Sequence, residues 1–216
     1  GVSTTEVRAA GYQYKNHTGA TYNEATPHTE AWAGRTAVGN KVENNKLSVT
    51  GGSLTTAAYG GLVVNNKPSA TTGDAEKNTV AISGGTVANA YGAEVRTKDG
   101  NATENTAEIT GGNVGSVYGA SLAAANATGT ADKSKVNISG SANITGNVYG
   151  GHIAQANATG TITNSEVNIS GGTVNGAVYG GKNEGTGSAT GGTLSISGGN
   201  VGGTIYGNHT NAGDAT

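Results

Sequence analysis

The sequence predicts an all-β fold, a right-handed parallel β-helix (β-solenoid) of about six to seven coils of 27–33 residues each. One unit recurs six times, and a period of this length is typical of stacked supersecondary units. Glycine is abundant, at 39 of 216 residues, while proline occurs only twice, which favours tight turns over a collagen-like chain. The six copies cover residues 45–61, 78–92, 105–119, 134–151, 165–181 and 193–207.

Each copy opens with two apolar residues separated by one residue. This alternation predicts a strand with one buried face, and the residue between the two should face solvent. The apolar pairs are Leu47/Val49, Val80/Ile82, Ala107/Ile109, Val136/Ile138, Val167/Ile169 and Leu194/Ile196.

A Gly-Gly pair, or Gly140-Ser141 in the fourth copy, follows this strand and predicts a sharp corner with positive φ. A second strand then runs to a Tyr-Gly turn. A weaker third strand should begin four residues after the tyrosine, at Val63, Val95, Leu122 and Ile153. It should be lost in the last two copies, where Asn183 and Thr210 take that place.

The chain divides in two by pattern. Residues 43–216 hold the β-helix repeats, and residues 1–42 form an N-terminal cap, an added strand or an inter-subunit segment. Trp32 stands 27 residues before Tyr59 and marks a degenerate earlier copy.

The composition narrows the function classes. A net charge of −2 and a pI near 6.1 give no electrostatic basis for binding nucleic acid or an anionic membrane. No apolar run of about 18 residues is present, so no membrane insertion is predicted. The absence of cysteine excludes disulfides and thiolate metal sites.

One tyrosine recurs in every copy and predicts a ladder along the solenoid. It could bind sugar rings or another protein as an aromatic strip, or it could fill a corner of the fold. Recurrence in every copy, including the divergent ones, favours the structural role. The ladder consists of Tyr59, Tyr91, Tyr118, Tyr149, Tyr179 and Tyr206.

Three Asn-Ala-Thr sequons, at Asn101, Asn126 and Asn157, are the candidate glycosylation sites because they fall in the segment of variable length. The competing interpretation is that Asn-Ala-Thr is simply a soluble loop sequence.

We predict that the protein is not an enzyme and has no catalytic, cofactor or metal site. Carboxylates are sparse, and the nearest cluster is Glu94, Arg96, Lys98 and Asp99, which is typical of a solvated charge run. The four histidines show no metal-ligand spacing.

The segment ISGGTVNGAVYGG at residues 169–181 resembles the repeats in β-helical passenger domains of bacterial autotransporters and filamentous-haemagglutinin-like surface adhesins. The resemblance extends over about residues 45–207. It implies secretion to the cell surface, a structural role in a stalk or fibre, and functions in adhesion and biofilms. We expect a host or surface glycan or protein as ligand, which the resemblance does not identify. The alternative function is a carbohydrate-active enzyme or carbohydrate-binding β-helix with a cleft on its loop side.

The ends of the repeat array predict self-association. The last copy keeps the repeat pattern, so its strands should offer unpaired backbone groups to another chain. We expect end-to-end stacking into a head-to-tail filament. The competing interpretation is that the sequence is a stretch of a longer array whose next coil lies in residues beyond it. The candidate inter-subunit contacts are the large aromatics of the first segment: Tyr12, Tyr14, Tyr22 and Trp32.

Overall fold

The computed structural model describes residues 20–23, 27–37, 41–64 and 72–216. In this part of the chain the protein is a parallel β-solenoid of about six turns, with strands, turns and no helix. The predicted fold class is therefore confirmed. In chain order the strands are β1 Ala20–Tyr22, β2 His28–Ala37, β3 Val42–Glu43, β4 Lys46–Val49, β5 Ser53–Val64, β6 Ala75–Glu76, β7 Thr79–Ile82, β8 Thr86–Val95, β9 Ala102–Thr103, β10 Thr106–Ile109, β11 Asn113–Leu122, β12 Thr130–Asp132, β13 Lys135–Ile138, β14 Asn143–Ile144, β15 Val148–Ile153, β16 Thr161–Thr163, β17 Glu166–Val174, β18 Val178–Asn183, β19 Ala189–Thr190, β20 Thr193–Val201 and β21 Ile205–Thr210.

The first strand of each copy stacks in register on that of the next copy. Leu47 of β4 aligns with Val80 of β7, which aligns in turn with Ala107 of β10. These side chains are buried in the main core, and the residue between each apolar pair is half-buried or exposed on the outer face. The alternation read from the sequence thus gives the correct inward and outward faces.

The second and third predicted strands are one continuous strand in β5, β8 and β11, which run through the Tyr-Gly step. The prediction that the third strand is lost in the last two copies is wrong. Asn183 pairs with Ile153, and Thr210 pairs with Asn183, because backbone pairing with the preceding coil does not require an apolar side chain.

A separate six-stranded sheet, formed by β3, β6, β9, β12, β16 and β19, lies where the sequence predicted only loops of variable length. Each strand has two or three residues and supplies one small or aliphatic inward side chain, such as Ala102 or Ile162. A strand this short has no period-2 pattern, so its signal in the sequence is weak.

Two columns of left-handed residues form corners of the coil. The predicted positive φ is observed at one glycine of each Gly-Gly or Gly-Ser pair, with values of 60° to 85°. A second column, just before the first strand, has φ of 51° to 57° at non-glycine residues: Asn44, Lys77, Glu104, Lys133 and Asn164.

The array begins before residue 43. Strand β1 pairs with β4, and β2 pairs with β5 so that Trp32 aligns with Tyr59. The described part of the first segment therefore adds strands in register with the repeats, as expected of a degenerate earlier copy.

Candidate functional site

The tyrosine ladder is the most regular side-chain feature of the described surface. Its six rings form one continuous stack in which neighbouring ring centroids lie 4.5–5.2 Å apart and ring planes differ by 4–14°. This follows from in-register pairing, which places each tyrosine directly over the equivalent residue of the next coil. Here this stack is called the tyrosine column.

A second column runs beside it, made of the residues three positions after each tyrosine. It is called the flanking column and consists of Leu62, Glu94, Ser121, His152, Lys182 and His209. The His152 ring lies 4.7 Å from the Tyr149 ring, and the Lys182 ammonium lies 5.2 Å from the centre of the Tyr179 ring. The flanking column therefore packs against the tyrosines.

The phenol groups lie in a partly dehydrated environment. Burial raises the pKa of Tyr59, Tyr91, Tyr118 and Tyr179. The Arg96 guanidinium donates a hydrogen bond of 2.9 Å to the Tyr59 hydroxyl. These tyrosines therefore stay protonated at neutral pH and act as hydrogen-bonding and packing groups.

This geometry bears on the two interpretations of the tyrosines. The faces of the inner rings are covered by neighbouring rings, so they are not available to stack on a sugar. Tyr59 and Tyr149 are buried, and the other four are half-buried. The column therefore supports the structural interpretation.

The charge run considered as a catalytic cluster does not converge on a cleft. Glu94 accepts from Arg96 at 2.7 Å, while Asp99 accepts from the Thr128 hydroxyl at 2.7 Å. His152 shares the flanking column with Glu94 but lies two coils away, about 10 Å at the usual strand spacing. That the protein is not an enzyme stays a prediction.

In the described ranges, no three histidine, aspartate or glutamate side chains are grouped so that they could hold a metal ion. The same residues include no helix with the length and hydrophobicity to cross a membrane.

The three sequons differ in their surroundings. Asn126 and Asn157 are exposed in loops, as predicted. Asn101 is half-buried beside strand β9, where its amide donates to Asp74 and its carbonyl oxygen accepts from the Thr130 backbone N–H. Glycosylation at these sites stays a prediction, and the two loop asparagines are the accessible ones.

An internal asparagine ladder was missed in the sequence analysis. The amide of Asn45 donates to Asn78 at 2.8 Å, and that of Asn78 donates to Asn105 at 3.0 Å. All three are buried. The signal was the asparagine that opens the first three copies, two residues before the first inward aliphatic residue. In the next two copies Ser134 and Ser165 take this position, and both hydroxyls are buried without a hydrogen-bond partner.

The predicted inter-subunit aromatics lie partly outside the described residues, which do not include Tyr12 and Tyr14. Tyr22 is 2% exposed and donates to the Ser53 carbonyl, and Trp32 is 6% exposed. Both are therefore packed within their own chain, and their role between subunits stays a prediction.

The last coil is open. Ile196 is 42% exposed and Ile205 is 47% exposed, whereas their equivalents in the preceding coil, Ile169 and Val178, are buried. Residues 214–216 hydrogen-bond to β19 and cover the short sheet on this side.

No family model matches the chain, and no curated protein or solved structure matches it. The β-solenoid fold rests on the register of the strands described above. The resemblance to bacterial surface passenger domains stays a prediction.

Proposed function

We propose that the protein is a non-enzymatic structural or adhesive β-solenoid of the bacterial cell surface, secreted and stacked end to end as part of a fibre. The observation that carries this proposal is the register of the coils, in which each coil pairs with the next through the same positions. The last described coil presents exposed Ile196 and Ile205 together with the outer edges of β20 and β21. An edge of this kind is a template for pairing with another chain.

The interior of the solenoid also supports a structural role. The asparagine ladder from Asn45 to Asn105 joins three successive coils through buried hydrogen bonds. A rod of similar stacked coils is suited to displaying a surface away from the cell or to extending a fibre. Its composition, without cysteine and with only 12% charged residues, agrees with the resemblance to surface passengers.

Gly207 offers a sharp test of end-to-end stacking. In the five preceding coils, the equivalent glycine lies so close to the next coil that a Cβ would collide with a backbone carbonyl oxygen: Gly60, Gly92, Gly119, Gly150 and Gly180. A Cβ on Gly207 meets nothing within 4 Å. Gly207→Ala should therefore leave the fold intact but obstruct any coil that stacks on this face.

We expect electron microscopy and light scattering of the 216-residue chain to show end-to-end assemblies. Gly207→Ala should shorten or abolish them. The matched control is Gly202→Ala in the same coil, where the nearest atom to the added Cβ is 3.4 Å away in the preceding coil. Single short rods at micromolar concentration, for the unmodified chain, would contradict the proposal.

The adhesive part of the proposal has a separate test. A glycan and protein array probed with the unmodified chain should show binding without turnover. Cleavage of a bound glycan that is lost in Glu94→Ala or His152→Ala would instead favour a carbohydrate-active enzyme.

A further inference from the structure

His152 and His209 are the two residues of the flanking column whose Nδ1 atom is buried without a hydrogen-bond partner. Of the two, His152 lies inside the array, with a paired coil on either side. It lies in β15 and aligns with Ser121 of β11 and Lys182 of β18. Its ring is 5.4 Å from the Tyr118 ring and 4.7 Å from the Tyr149 ring. The Nδ1 atom is buried and has no hydrogen-bond partner.

Protonation of His152 would be costly in this position. It would place an N–H group at the buried Nδ1 atom with no acceptor and would bring a positive charge beside the Tyr118 and Tyr149 rings on a half-buried side chain. In the neutral ring, Nδ1 can remain an acceptor without a donor, which costs less than a buried N–H group without an acceptor. The folded state therefore holds the neutral ring.

The groups around His152 do not supply a strong counter-charge. The titratable side chains that face it are the phenols of Tyr118 and Tyr149 together with Lys182 and Glu184 of the next coil. Burial lowers the pKa of His152 to about 4; Glu184 opposes this shift, and Lys182 adds to it. The Glu184 carboxylate is also hydrogen-bonded to the Lys182 ammonium at 2.5 Å, which reduces its effect on the imidazole.

We propose that His152 makes the solenoid acid-sensitive at its fourth copy. Protonation of the ring separates β15 from the coil that follows it and releases strands β18 and β21, while the coils before it stay folded. The effect is local because each coil of a solenoid contacts only its neighbours. In the described structure the coils after His152 bury the least apolar surface, since Ile196 and Ile205 of the last one are exposed.

The direction of the pH effect follows from the proton count. A histidine in an unfolded chain has a pKa of about 6.5. Between that pH and about 4, the unfolded segment binds more protons at His152 than the folded one. The contribution of neutral His152 to the stability of these coils is therefore fully present above about pH 6.5, and it is lost as the pH drops towards 4.

Hydrogen exchange measured by mass spectrometry tests this proposal, with rates expressed as protection factors to remove the intrinsic effect of pH. Between about pH 7.5 and about pH 4.5, we expect protection in β18 and β21 to fall by about tenfold or more. Protection in β4 and β7 should change much less. In His152→Gln the pH-dependent loss in β18 and β21 should disappear, whereas the matched control His28→Gln, in the first described coil, should retain it.

A second measurement does not depend on any variant. The ring signals of His152 in NMR spectra of the unmodified chain should titrate well below the unfolded value of about 6.5. Titration of this ring near that value would overturn the proposal. So would an equal loss of protection in His152→Gln, or a loss spread evenly over all coils.

Discussion

At the scale of single residues, the described structure is held together by side chains that meet their equivalents one coil away. Asn78 shows this most clearly. Its carbonyl oxygen accepts from Asn45, and its amide donates to Asn105 and to the backbone carbonyl of Val42. The same position is filled by Ser134 one coil beyond Asn105, where the hydroxyl is buried but has no partner. Equivalent positions therefore contribute very differently to stability.

We expect Asn78→Ala to lower the free energy of unfolding by about 2–4 kcal/mol, because it leaves several buried backbone and amide groups without partners. Ser134→Ala is the matched control, since it removes a hydroxyl that has no hydrogen bond. It should change stability by less than about 0.5 kcal/mol or increase it. Urea unfolding of both variants checks the prediction, and equal losses in the two would contradict it.

Glycine on the tyrosine face is also a residue-scale requirement. A Cβ on Gly119 would meet the Gly150 carbonyl oxygen and the backbone of Lys135, and none of these atoms can rotate away. We expect Gly119→Ala to cost about 2–4 kcal/mol. Gly207→Ala, at the equivalent position of the last coil, should cost much less. A thermal melt of both proteins distinguishes them, and a similar melting temperature for the two would show that the spacing between coils adapts.

At the scale of elements, parallel strands in register turn a repeated sequence into columns of like side chains. This register aligns the tyrosines in a column on the outer side of the coils, and it aligns the aliphatic residues in columns on the inner side. Stacked aromatic pairs contribute about 0.5–1.5 kcal/mol each beyond the area they bury. A ring inside the column has two such neighbours, and a ring at its end has one.

Tyr118→Leu removes two stacking contacts and should lower the free energy of unfolding by about 1–3 kcal/mol. Tyr206→Leu removes one contact and should cost about half as much. Near-ultraviolet circular dichroism should lose more signal in the first variant, since stacked rings interact electronically. Equal effects at both positions would argue that the rings stabilise their own coils only.

At the scale of the whole molecule, the last described coil is open, and burial of equivalent residues depends on which coil they occupy. Val178 and Ile205 are register partners in neighbouring coils. The first is buried, and the second is exposed by 47%. A charged side chain should therefore disrupt folding when it replaces Val178 and self-association when it replaces Ile205.

We expect Val178→Asp to cost about 4 kcal/mol or more, because it buries a carboxylate with no partner. Ile205→Asp should leave the far-ultraviolet circular dichroism and melting temperature nearly unchanged and should weaken end-to-end assembly. Light scattering across a concentration series measures the second effect. Assembly that is unaffected by Ile205→Asp would place the contact elsewhere on the surface.

The sequence by itself determined the features that depend on neighbours along the chain. Alternation of apolar residues predicted the inward face of each first strand, and the Gly-Gly pairs predicted the corners with positive φ. The tyrosine spacing predicted a ladder, because equal positions in successive coils must align once the coils stack. Even the degenerate copy at Trp32 could be read from its distance to Tyr59.

The tertiary structure alone decided what depends on contacts between coils, 27 or more residues apart along the chain. It joined the asparagines into an internal ladder and continued the third strand through Asn183, where no apolar side chain marks it. It also packed Trp32 within its own chain and placed His152 against two tyrosine rings. The physical reason is that inter-coil pairing is made by the backbone, so it brings side chains together whatever their local pattern. Burial, hydrogen bonding and proton affinity are then set by the neighbouring coils.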